Sequence, residues 1–339
     1  MRAIGYKKSL PIDQAESLID LDIEKPVPKG RDLLVQVKAI SVNPVDTKVR
    51  KRADPQGGEP KILGYDATGI VAAAGPDVTL FKTGDEVWYA GSIIRPGTNA
   101  EFHLVDERIV GRKPKTLGFA EAAALPLTSI TAWEVLFDRL GIARGGAEGK
   151  SLLIIGGAGG VGSIAIQLAR TQTRLTVIAT ASRPETKEWC KALGAHHVID
   201  HKQPMPEQLK AAGFRFVDYI FGVTESGEHF DTIVEVIAPQ GKFGLIDDPK
   251  PLDTAKFKGK SASIHWEAMF TRSTFQTPDM IEQHKLLNEV AGMVEKGTIR
   301  TTVAENLGTI NAANLRRAHA MIESGRTRGK IVLEKIVYL

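Results

Sequence analysis

A cluster of glycines directly after a buried strand constrains the fold of this chain more than any other feature. Ser151–Ile155 is almost wholly apolar, and it is followed by GGAGGVG and then by a helical pattern from Val161 to Gln172. Gly157, Gly159 and Gly162 match the spacing G-x-G-x-x-G. In that arrangement the first glycine permits a tight turn, the second lets the backbone approach a pyrophosphate, and the third lets the helix pack against the strand.

The position of these glycines between a strand and a helix predicts a dinucleotide ligand, because the helix N-terminus supplies an anion site. The competing interpretation is a glycine-rich turn that binds nothing, which the flanking strand and helix disfavour. On the first interpretation the loop residues hold the phosphates of a cofactor. These residues are Gly157, Ala158, Gly159, Gly160, Val161 and Gly162.

After the glycines, strands alternate with helices, which predicts a parallel sheet covered by helices. The expected strands are Thr176 to Thr180, His197 to Ile199, Phe216 to Ile220 and Lys242 to Ile246. The expected helices are Pro184 to Leu193, Pro206 to Ala212, Glu228 to Ile237 and a long amphipathic one near Met280 to Lys296.

The first 126 residues or so have a different pattern. Short strand-like runs such as Leu33 to Ile40 and Glu86 to Ala90 are separated by turn residues such as Gly57-Gly58, which indicates an irregular β domain or barrel. A chain of 339 residues is about twice the length of a typical domain, so two domains are expected. The predicted class is α/β.

The end of the second strand indicates which dinucleotide is bound. An NAD site usually has an Asp or Glu about 20 residues past the glycines, where it binds the ribose hydroxyls. Here Ser182 and Arg183 stand at that point, and no carboxylate occurs from Val177 to Arg183. A hydroxyl and a guanidinium suit a 2′-phosphate, so the expected cofactor is NADPH. The alternative is that Arg183 only begins a solvent-exposed helix.

The composition excludes several other classes. Lys and Arg total 44 against 40 Asp and Glu, and the densest basic cluster, Lys48 to Arg52, is interpreted as a solvated loop surface rather than a nucleic-acid site. The single cysteine, Cys190, excludes an internal disulfide and an all-cysteine metal site. No membrane span or signal peptide is recognisable, so we expect a soluble cytoplasmic protein without nucleic-acid or membrane partners.

A series of different short motifs occurs in order over most of the chain. They are Val42-Asn43-Pro44-Val45-Asp46, Leu63-Gly64-Tyr65-Asp66-Ala67-Thr68-Gly69, Gly84-Asp85-Glu86-Val87, Leu125-Pro126-Leu127-Thr128, Leu193-Gly194-Ala195 and Gly329-Lys330-Ile331-Val332-Leu333. With the glycine loop, they resemble the medium-chain dehydrogenase/reductase superfamily from about residue 30 to the C-terminus. The resemblance is to its zinc-free quinone oxidoreductase branch, and best to a subset often labelled zinc-type alcohol dehydrogenase-like.

The resemblance implies two domains with the active site in the cleft between them. Residues 1–127 would form a GroES-like β-barrel catalytic domain, residues 128–271 a Rossmann NADP-binding domain with a doubly wound parallel sheet, and residues 272–339 the return to the catalytic domain. The segment Arg50 to Pro60 is expected to be a mobile loop at the mouth of the cleft. A homodimer is expected to form through a sheet edge at Ser261 to His265.

The resemblance also bears on metal binding. Relatives with catalytic zinc have a Cys at or next to Asn43 and Gly-His-Glu in place of Gly64-Tyr65-Asp66, and the region of their structural zinc, Trp88 to Val105, has no Cys here. Zinc needs three or four N, S or O ligands held close together, so no metal is expected. Two alternatives stay open, a zinc-type alcohol dehydrogenase and a non-enzymatic NADPH-binding protein.

Without a metal, hydride transfer to a quinone or an α,β-unsaturated carbonyl compound (an enone) needs a hydrogen-bond donor where charge develops on the carbonyl oxygen. By resemblance Asn43 lies near the nicotinamide, and Tyr65, Thr47 and Tyr89 are candidate hydroxyl donors. This chain has Thr47 where a tyrosine is common nearby in quinone oxidoreductases.

The resemblance adds three residues to the expected cofactor site. Thr128 and Thr131, just before the parallel-sheet domain, are placed to contact the phosphate or the nicotinamide of the cofactor. His201 takes the place of a tyrosine that lies beside the adenine ribose in relatives.

Overall fold

The computed structural model describes residues 1–52 and 54–336. Residue 53, in the predicted loop Arg50 to Pro60, and residues 337–339, in the predicted C-terminal segment 272–339, lie outside the described residues. The chain divides into two compact units. Unit 1 comprises Met1–Ile130 and Phe270–Leu339, and unit 2 comprises Thr131–Met269. Of the helices in the described residues, none is long and apolar enough to cross a membrane.

Within the described residues the chain forms sixteen β-strands and ten α-helices. The strands are Arg2–Tyr6 (β1), Ile19–Asp22 (β2), Asp32–Val42 (β3), Lys61–Ile62 (β4), Ala67–Ala74 (β5), Glu86–Tyr89 (β6), Phe102–Asp106 (β7), Val110–Arg112 (β8), Ser151–Ile155 (β9), Thr176–Thr180 (β10), His197–Ile199 (β11), Val217–Gly222 (β12), Ile237–Leu245 (β13), Ser263–Trp266 (β14), Val303–Asn306 (β15) and Lys330–Glu334 (β16). The helices are Pro44–Arg52 (α1), Phe119–Ala123 (α2), Pro126–Trp133 (α3), Gly160–Gln172 (α4), Pro184–Ala192 (α5), Met205–Ala211 (α6), Phe230–Val236 (α7), Thr271–Phe275 (α8), Glu282–Glu295 (α9) and Ala312–Glu323 (α10).

Unit 1 is built mainly from antiparallel strands. A seven-stranded sheet has the order β15-β16-β3-β5-β6-β8, with β7 also paired to β3, and a three-stranded sheet has the order β2-β1-β4. The long strand β3 pairs with β5, β7 and β16, so it brings residues from the start and the end of the chain to one sheet. In particular, Ile331 of β16 lies opposite Val42, the last residue of β3.

Unit 2 is a six-stranded parallel sheet with the order β11-β10-β9-β12-β13-β14. Its apolar core combines strand residues such as Leu153, Ile178, Ile220 and Phe243 with helix residues such as Ile233. Strand β9 lies between β10 and β12, so the strand order reverses there, and open sheets of this kind bind ligands at such a point beyond the carboxyl ends of the strands. The α/β class predicted from the strand–helix alternation is confirmed.

Strands β9, β10 and β11 have the bounds predicted from the sequence. The main difference is at β13, which begins at Ile237 rather than at Lys242, and helix α7 accordingly ends at Val236. Ile237 pairs with Val217 ahead of a register shift, and Gln240 has a φ of +63°. This irregular stretch of strand contains Pro and Gly, and therefore resembles a loop in the sequence.

The prediction for the basic segment after residue 47 was wrong in part. Lys48 to Arg52 belongs to helix α1 and is not a loop, and the Arg50 side chain is fully buried. Its guanidinium donates to the Leu10 carbonyl and pairs with Glu323 of α10. An arginine in a charge-rich stretch looks solvated in the sequence, but a partly buried carboxylate partner far along the chain offsets the cost of its burial.

Candidate active site

In unit 2 the glycine loop joins the end of β9 to the start of α4. Gly156, which has a φ of +92°, donates its N–H to Thr180 Oγ1 at 3.0 Å, and Gly157 donates its N–H to the Thr180 carbonyl at 3.1 Å. These bonds fasten the loop to the end of β10. Gly159 is the N-cap of α4 and has no side chain to cap it, so the first N–H groups of the helix have no partner from that residue.

The three glycines of the G-x-G-x-x-G spacing are needed for different reasons. A Cβ on Gly162 would lie 2.2 Å from the Gly156 carbonyl oxygen, and one on Gly157 would lie 2.8 Å from Ala179 Cβ and 3.1 Å from Cys190 Sγ. A Cβ on Gly159 would meet no protein atom closer than 3.7 Å. Packing therefore explains two of the glycines, whereas the open space at Gly159 fits the close approach of a phosphate. The residues present fit a dinucleotide.

Ser182 and Arg183 follow β10 at the same edge of the sheet. Arg183 is the N-cap of α5, and its N–H donates to Thr186 Oγ1 at 3.2 Å. Its side chain is 38% exposed, and Nε lies 3.2 Å from Glu185 Oε1. A guanidinium thus stands at the end of β10, with a neighbouring carboxylate that offsets part of its charge.

Thr131 and His201 are the other predicted cofactor residues of unit 2. Thr131 is buried in α3, and His201 follows β11, whose carboxyl end lies at the same edge as the glycine loop because the strands are parallel. The His201 ring lies 6.2 Å from the ring of His229, between centroids, and burial lowers the pKa of His201. His229, which follows β12, was not identified from the sequence.

In unit 1 the predicted catalytic residue Asn43 follows β3 and is 1% exposed. Its Nδ2 donates to Asp66 Oδ2 at 2.8 Å and to the Tyr65 carbonyl at 3.4 Å, while its Oδ1 accepts from Lys330 Nζ. Asp66 also accepts from Lys330 Nζ at 3.0 Å and from the Leu127 N–H at 2.8 Å. Protein groups therefore engage both ends of the Asn43 amide.

A second buried carboxylate, Asp46, lies next to this cluster. Asp46 accepts from the N–H of Asn43 at 2.8 Å and from the N–H of Gly64 at 2.9 Å, so it joins the start of α1 to the segment before Tyr65. Burial raises its pKa to about 7, with a smaller raising contribution from Asp66, although its two N–H partners and Lys330 oppose the change.

Three of the candidate hydroxyls in unit 1 already donate within the protein. Thr47 and Thr128 each donate to the carbonyl oxygen three residues earlier in the chain, at 2.9 and 3.1 Å. Tyr89 lies 3.2 Å from His103 Nδ1. Burial lowers the pKa of His103 to about 4, so its ring is neutral, and because its Nε2 donates to the Pro96 carbonyl, Nδ1 accepts from Tyr89.

Tyr65 differs from those residues. Its hydroxyl is buried and has no hydrogen-bond partner among the described residues, while its ring packs edge-on against Phe270 at 5.3 Å between centroids. Burial is the main reason that the pKa of Tyr65 lies well above its ordinary value, with smaller contributions from Asp46 and Tyr6. The phenol therefore stays protonated and can serve as a donor.

Asp66 and Lys330 belong to this cluster although they were assigned no role from the sequence. Both stood in recognised motifs, and Lys330 begins a strand whose next three residues are apolar and buried. A lysine at a buried strand position is unusual, because an ammonium is costly to remove from water without partners. That was the available signal, but its partner lies 264 residues earlier in the sequence.

The same residues can be tested for a zinc ion. The Asp66 carboxylate accepts from three N–H donors, the Asn43 amide oxygen accepts from Lys330, and the ammonium of Lys330 would repel a dication. In residues 1–52 and 54–336, no group of three or more His, Cys, Asp or Glu residues could hold a metal ion. The residues present do not fit zinc.

Two family descriptions match this chain. "Alcohol dehydrogenase GroES-like domain" matches residues 29–132, and "Zinc-binding dehydrogenase" matches residues 193–333. A zinc-type alcohol dehydrogenase-like protein of Staphylococcus aureus (strain MSSA476) is 43% identical over 338 residues, covering 98% of this chain and 99% of that protein. The human mitochondrial NAD(P)H oxidoreductase is 32% identical over 336 residues, covering 90% of this chain and 82% of that protein.

Solved structures have the same fold. A crystal structure from Rhizobium etli CFN 42, provisionally described as a zinc-dependent alcohol dehydrogenase, is 60% identical, with a TM-score of 0.97 and coverage of 100% of this chain and 99% of that one. The Escherichia coli quinone oxidoreductase, solved with NADPH, is 23% identical, with a TM-score of 0.83 and coverage of 99% and 100%. At that identity the second likeness concerns the fold alone.

A GroES-like domain combined with a dinucleotide-type parallel sheet defines a class of NAD(P)-dependent oxidoreductases. The chain belongs to the medium-chain dehydrogenase/reductase superfamily and, within it, to the zinc-type alcohol dehydrogenase-like proteins. The superfamily and the subset predicted from the motifs are both confirmed.

Proposed function

We propose that this protein is an NADPH-dependent reductase that transfers hydride to a quinone or an enone without a metal. The observation that carries the proposal is the Asn43–Asp66–Lys330 cluster. By the resemblance, Asn43 and Asp66 stand at or next to residues that relatives use around zinc, and here the ammonium of Lys330 binds both side chains instead. Oxidation of a simple alcohol is helped by a Lewis acid that lowers the pKa of the hydroxyl, and these residues do not fit one.

Unit 2 supplies the residues that would hold the cofactor, which, when bound, provides the hydride. The loop from Gly157 to Gly162 and the first turn of α4 would bind the pyrophosphate, and Thr131 and His201 complete the proposed contacts of this unit. Thr128 of unit 1 belongs to the same proposed set. The predicted assignment of residues 128–271 to cofactor binding, and of residues 1–127 and 272–339 to catalysis, is part of this proposal.

Tyr65 is the proposed hydrogen-bond donor to the substrate. Hydride addition to a quinone or an enone places negative charge on the carbonyl oxygen, and a neutral phenol stabilises that charge without first being deprotonated. The Tyr65 hydroxyl lacks a partner in the described part of the chain, and a buried polar group of that kind calls for an explanation. Asn43 and Thr47, whose donors are engaged inside the protein, are proposed to hold the site in shape.

The preference for NADPH over NADH rests on Arg183 and Ser182. A guanidinium forms charge-assisted hydrogen bonds with a 2′-phosphate, and no carboxylate between residues 177 and 183 competes for the ribose hydroxyls. Glu185, 3.2 Å from Arg183 Nε, reduces the local positive charge. The expected preference is therefore moderate.

The proposal is tested with a panel of quinones, enones, aldehydes and primary alcohols, followed through NADPH absorbance. Reduction of a quinone or an enone at least about tenfold faster than turnover of any aldehyde or alcohol is expected. Alcohol oxidation that needs added zinc would favour a zinc-type alcohol dehydrogenase. Tight NADPH binding without turnover of any compound would favour a non-enzymatic NADPH-binding protein. The cytoplasmic location stays a prediction.

A further inference from the structure

Lys330 makes an unusual set of contacts for a lysine. It is 3% exposed, and its Nζ donates to the Val42 carbonyl at 3.2 Å, to Asp66 Oδ2 at 3.0 Å and to Asn43 Oδ1. An ammonium has three N–H groups, so every donor is used. All three acceptors belong to the segments that carry the candidate catalytic residues, whereas Lys330 itself comes from the last strand, β16.

We propose that Lys330 is a positioning residue, whose ammonium holds the Asn43 and Asp66 side chains and, through Asp66, the first turn of the helix that carries Thr128. This inference rests on the proposed reductase function and adds a residue to it. The link to Thr128 runs through one bond, because Asp66 Oδ1 accepts from the N–H of Leu127, the preceding residue.

The charges in the cluster explain why an ammonium is needed there. An ionised carboxylate that is fully buried requires a partner charge and hydrogen-bond donors. Asp66 is 0% exposed, and Lys330 supplies the positive charge while Asn43 and Leu127 supply the other donors. Among the described residues, Asp46 is the other carboxyl that acts on this cluster, and the negative charge that it carries above about pH 7 adds to the demand for a cation.

Removal of the ammonium would therefore change the protonation of Asp66. Burial already raises the pKa of Asp66, and Lys330 is the main group that opposes the change. Without Lys330 the carboxyl group would hold a proton, and its hydroxyl oxygen would accept hydrogen bonds poorly. The donors of Asn43 and Leu127 would then compete for one good acceptor.

The first test compares Lys330→Met with Asp66→Asn/Lys330→Met, using the thermal unfolding midpoint at pH 6 and pH 8. The single variant should lose at least about 3 °C more at pH 8 than at pH 6, because ionisation of Asp66 opposes folding once its partner is gone. The double variant has no carboxyl at this position, so its loss should differ between pH 6 and pH 8 by clearly less than that of the single variant, with only the effect of Lys330 on Asp46 remaining.

Lys113→Met serves as the matched control. Lys113 is also a buried lysine of unit 1, 7% exposed, and it donates to the Pro114 and Leu117 carbonyls, away from the cluster. Its carboxylate partner, Glu86 at 3.1 Å, is half-exposed rather than buried. Its loss of stability should not depend on pH. If Lys330→Met behaves like Lys113→Met, with a loss that is the same at pH 6 and pH 8, the inference is wrong.

The second test measures quinone reduction by the full-length protein. Lys330→Met should lower kcat roughly tenfold to a hundredfold and raise KM for NADPH by a smaller factor, because the cofactor loop of unit 2 is unaltered and Thr128 is the one proposed cofactor contact linked to Lys330. Lys330→Arg keeps the charge but not the compact donor geometry, and should recover part of kcat. An unchanged kcat in Lys330→Met, or in Asp66→Asn/Lys330→Met if the single variant does not fold, would overturn the inference.

Failure of the inference and failure of the proposed function can be told apart. If the unmodified protein reduces no quinone or enone, the proposed function fails, and the unfolding experiment still measures whether Lys330 holds Asp66. If the unmodified protein is an active reductase and Lys330→Met keeps its kcat, only the inference fails.

Discussion

At the scale of single residues, the candidate site contains two kinds of polar side chain. Asn43 is engaged by Asp66, Lys330 and the Tyr65 carbonyl, so its contacts explain its burial. The hydroxyl of Tyr65 is buried without a hydrogen-bond partner in the described residues, so the loss of its hydration is not compensated. Groups of the second kind are the better candidates for contact with a substrate, because a ligand can supply the missing partner.

Tyr65→Phe should therefore lower kcat for quinone or enone reduction by roughly tenfold to a thousandfold, with little loss of stability. Tyr89→Phe provides the comparison, because the Tyr89 hydroxyl donates to His103 and is equally buried. That variant should lose about 1 kcal/mol of unfolding free energy and keep kcat within about twofold. Steady-state kinetics and denaturant unfolding measure both quantities, and the reverse pattern would exclude Tyr65 as the donor.

Arg183→Ala should weaken NADPH binding by about tenfold and leave NADH binding nearly unchanged, because only NADPH carries the 2′-phosphate. The effect is modest since the side chain is 38% exposed and lies next to Glu185. Ser182→Asp should reduce NADPH affinity further through charge repulsion. Arg174→Ala, at an exposed arginine of the same unit, is the control in fluorescence titrations. Equal affinity of the unmodified protein for both cofactors would contradict the assignment.

At the scale of secondary-structure elements, an ion pair joins the segment after α3 to the residue that follows the edge strand β14. Glu134–Arg139 is a π-helical turn, and Arg139 Nε donates to Glu267 Oε2 at 2.7 Å, one residue beyond β14. Glu134 and Glu267 are both buried, and Glu134 acts with burial to raise the pKa of Glu267. Two buried carboxyl groups this close do not both ionise readily, so the pair holds one shared proton and leaves one negative charge for Arg139 to balance.

This pair predicts that the unfolding free energy falls as the pH rises from 6 to 8. Burial and then Glu134 raise the pKa of Glu267 to about 8 from an ordinary 4.5. The folded protein thus keeps a proton that the unfolded chain releases above about pH 4.5, so stability is lost between those two values. The expected fall is roughly 1–3 kcal/mol, and Asp46 adds to it with the same sign up to about pH 7.

Glu267→Gln should remove much of that slope, because the amide can still donate to Glu134 and accept from Arg139 without titrating. Denaturant unfolding at pH 6 and pH 8 measures the difference between the variant and the unmodified protein. Glu148→Gln, at a carboxylate that is 78% exposed, should leave the slope unchanged. A slope that persists in Glu267→Gln would show that the shared proton lies elsewhere.

At the scale of the whole molecule, the described part of the chain offers no fitting set of zinc ligands, which predicts the metal content of the purified protein. Elemental analysis of the purified protein should give far less than one zinc per chain, and a chelator should leave quinone reduction unchanged. The four hydrogen bonds that close the Asn43–Asp66 cluster all come from protein groups, so nothing is lost when free metal is removed. Stoichiometric zinc whose removal abolishes activity would overturn the metal-free proposal.

A homodimer is the other prediction at this scale. Strand β14 is the last strand of the unit 2 sheet, and Trp266 at its end is 57% exposed. An unpaired sheet edge with an exposed aromatic residue is a natural surface for pairing with a second copy. Light scattering at micromolar concentration should give twice the mass of one chain, and Trp266→Lys should shift the mass toward that of one chain. A single-chain mass for the unmodified protein would contradict the prediction.

Much of the fold could be predicted because its signals are local. The turn geometry of Gly156–Gly162, the bounds of β9 and β10 and the lack of a carboxylate before Arg183 each depend on residues within one short segment. The ordered motifs extended that prediction to the superfamily. Strand β13 was misplaced because its bulge contains residues typical of a loop.

The polar clusters could not be predicted in this way, because their members meet only through sheet register and chain crossing. Lys330 reaches Asp66 because β16 pairs with β3 next to Val42, and Arg139 reaches Glu267 across 128 residues. Whether a charged side chain is solvated or buried depends on a partner that no local pattern specifies. Local sequence therefore determines the backbone turns and the cofactor loop, whereas the tertiary structure decides which charges share a buried site and which hydroxyl is left without a partner.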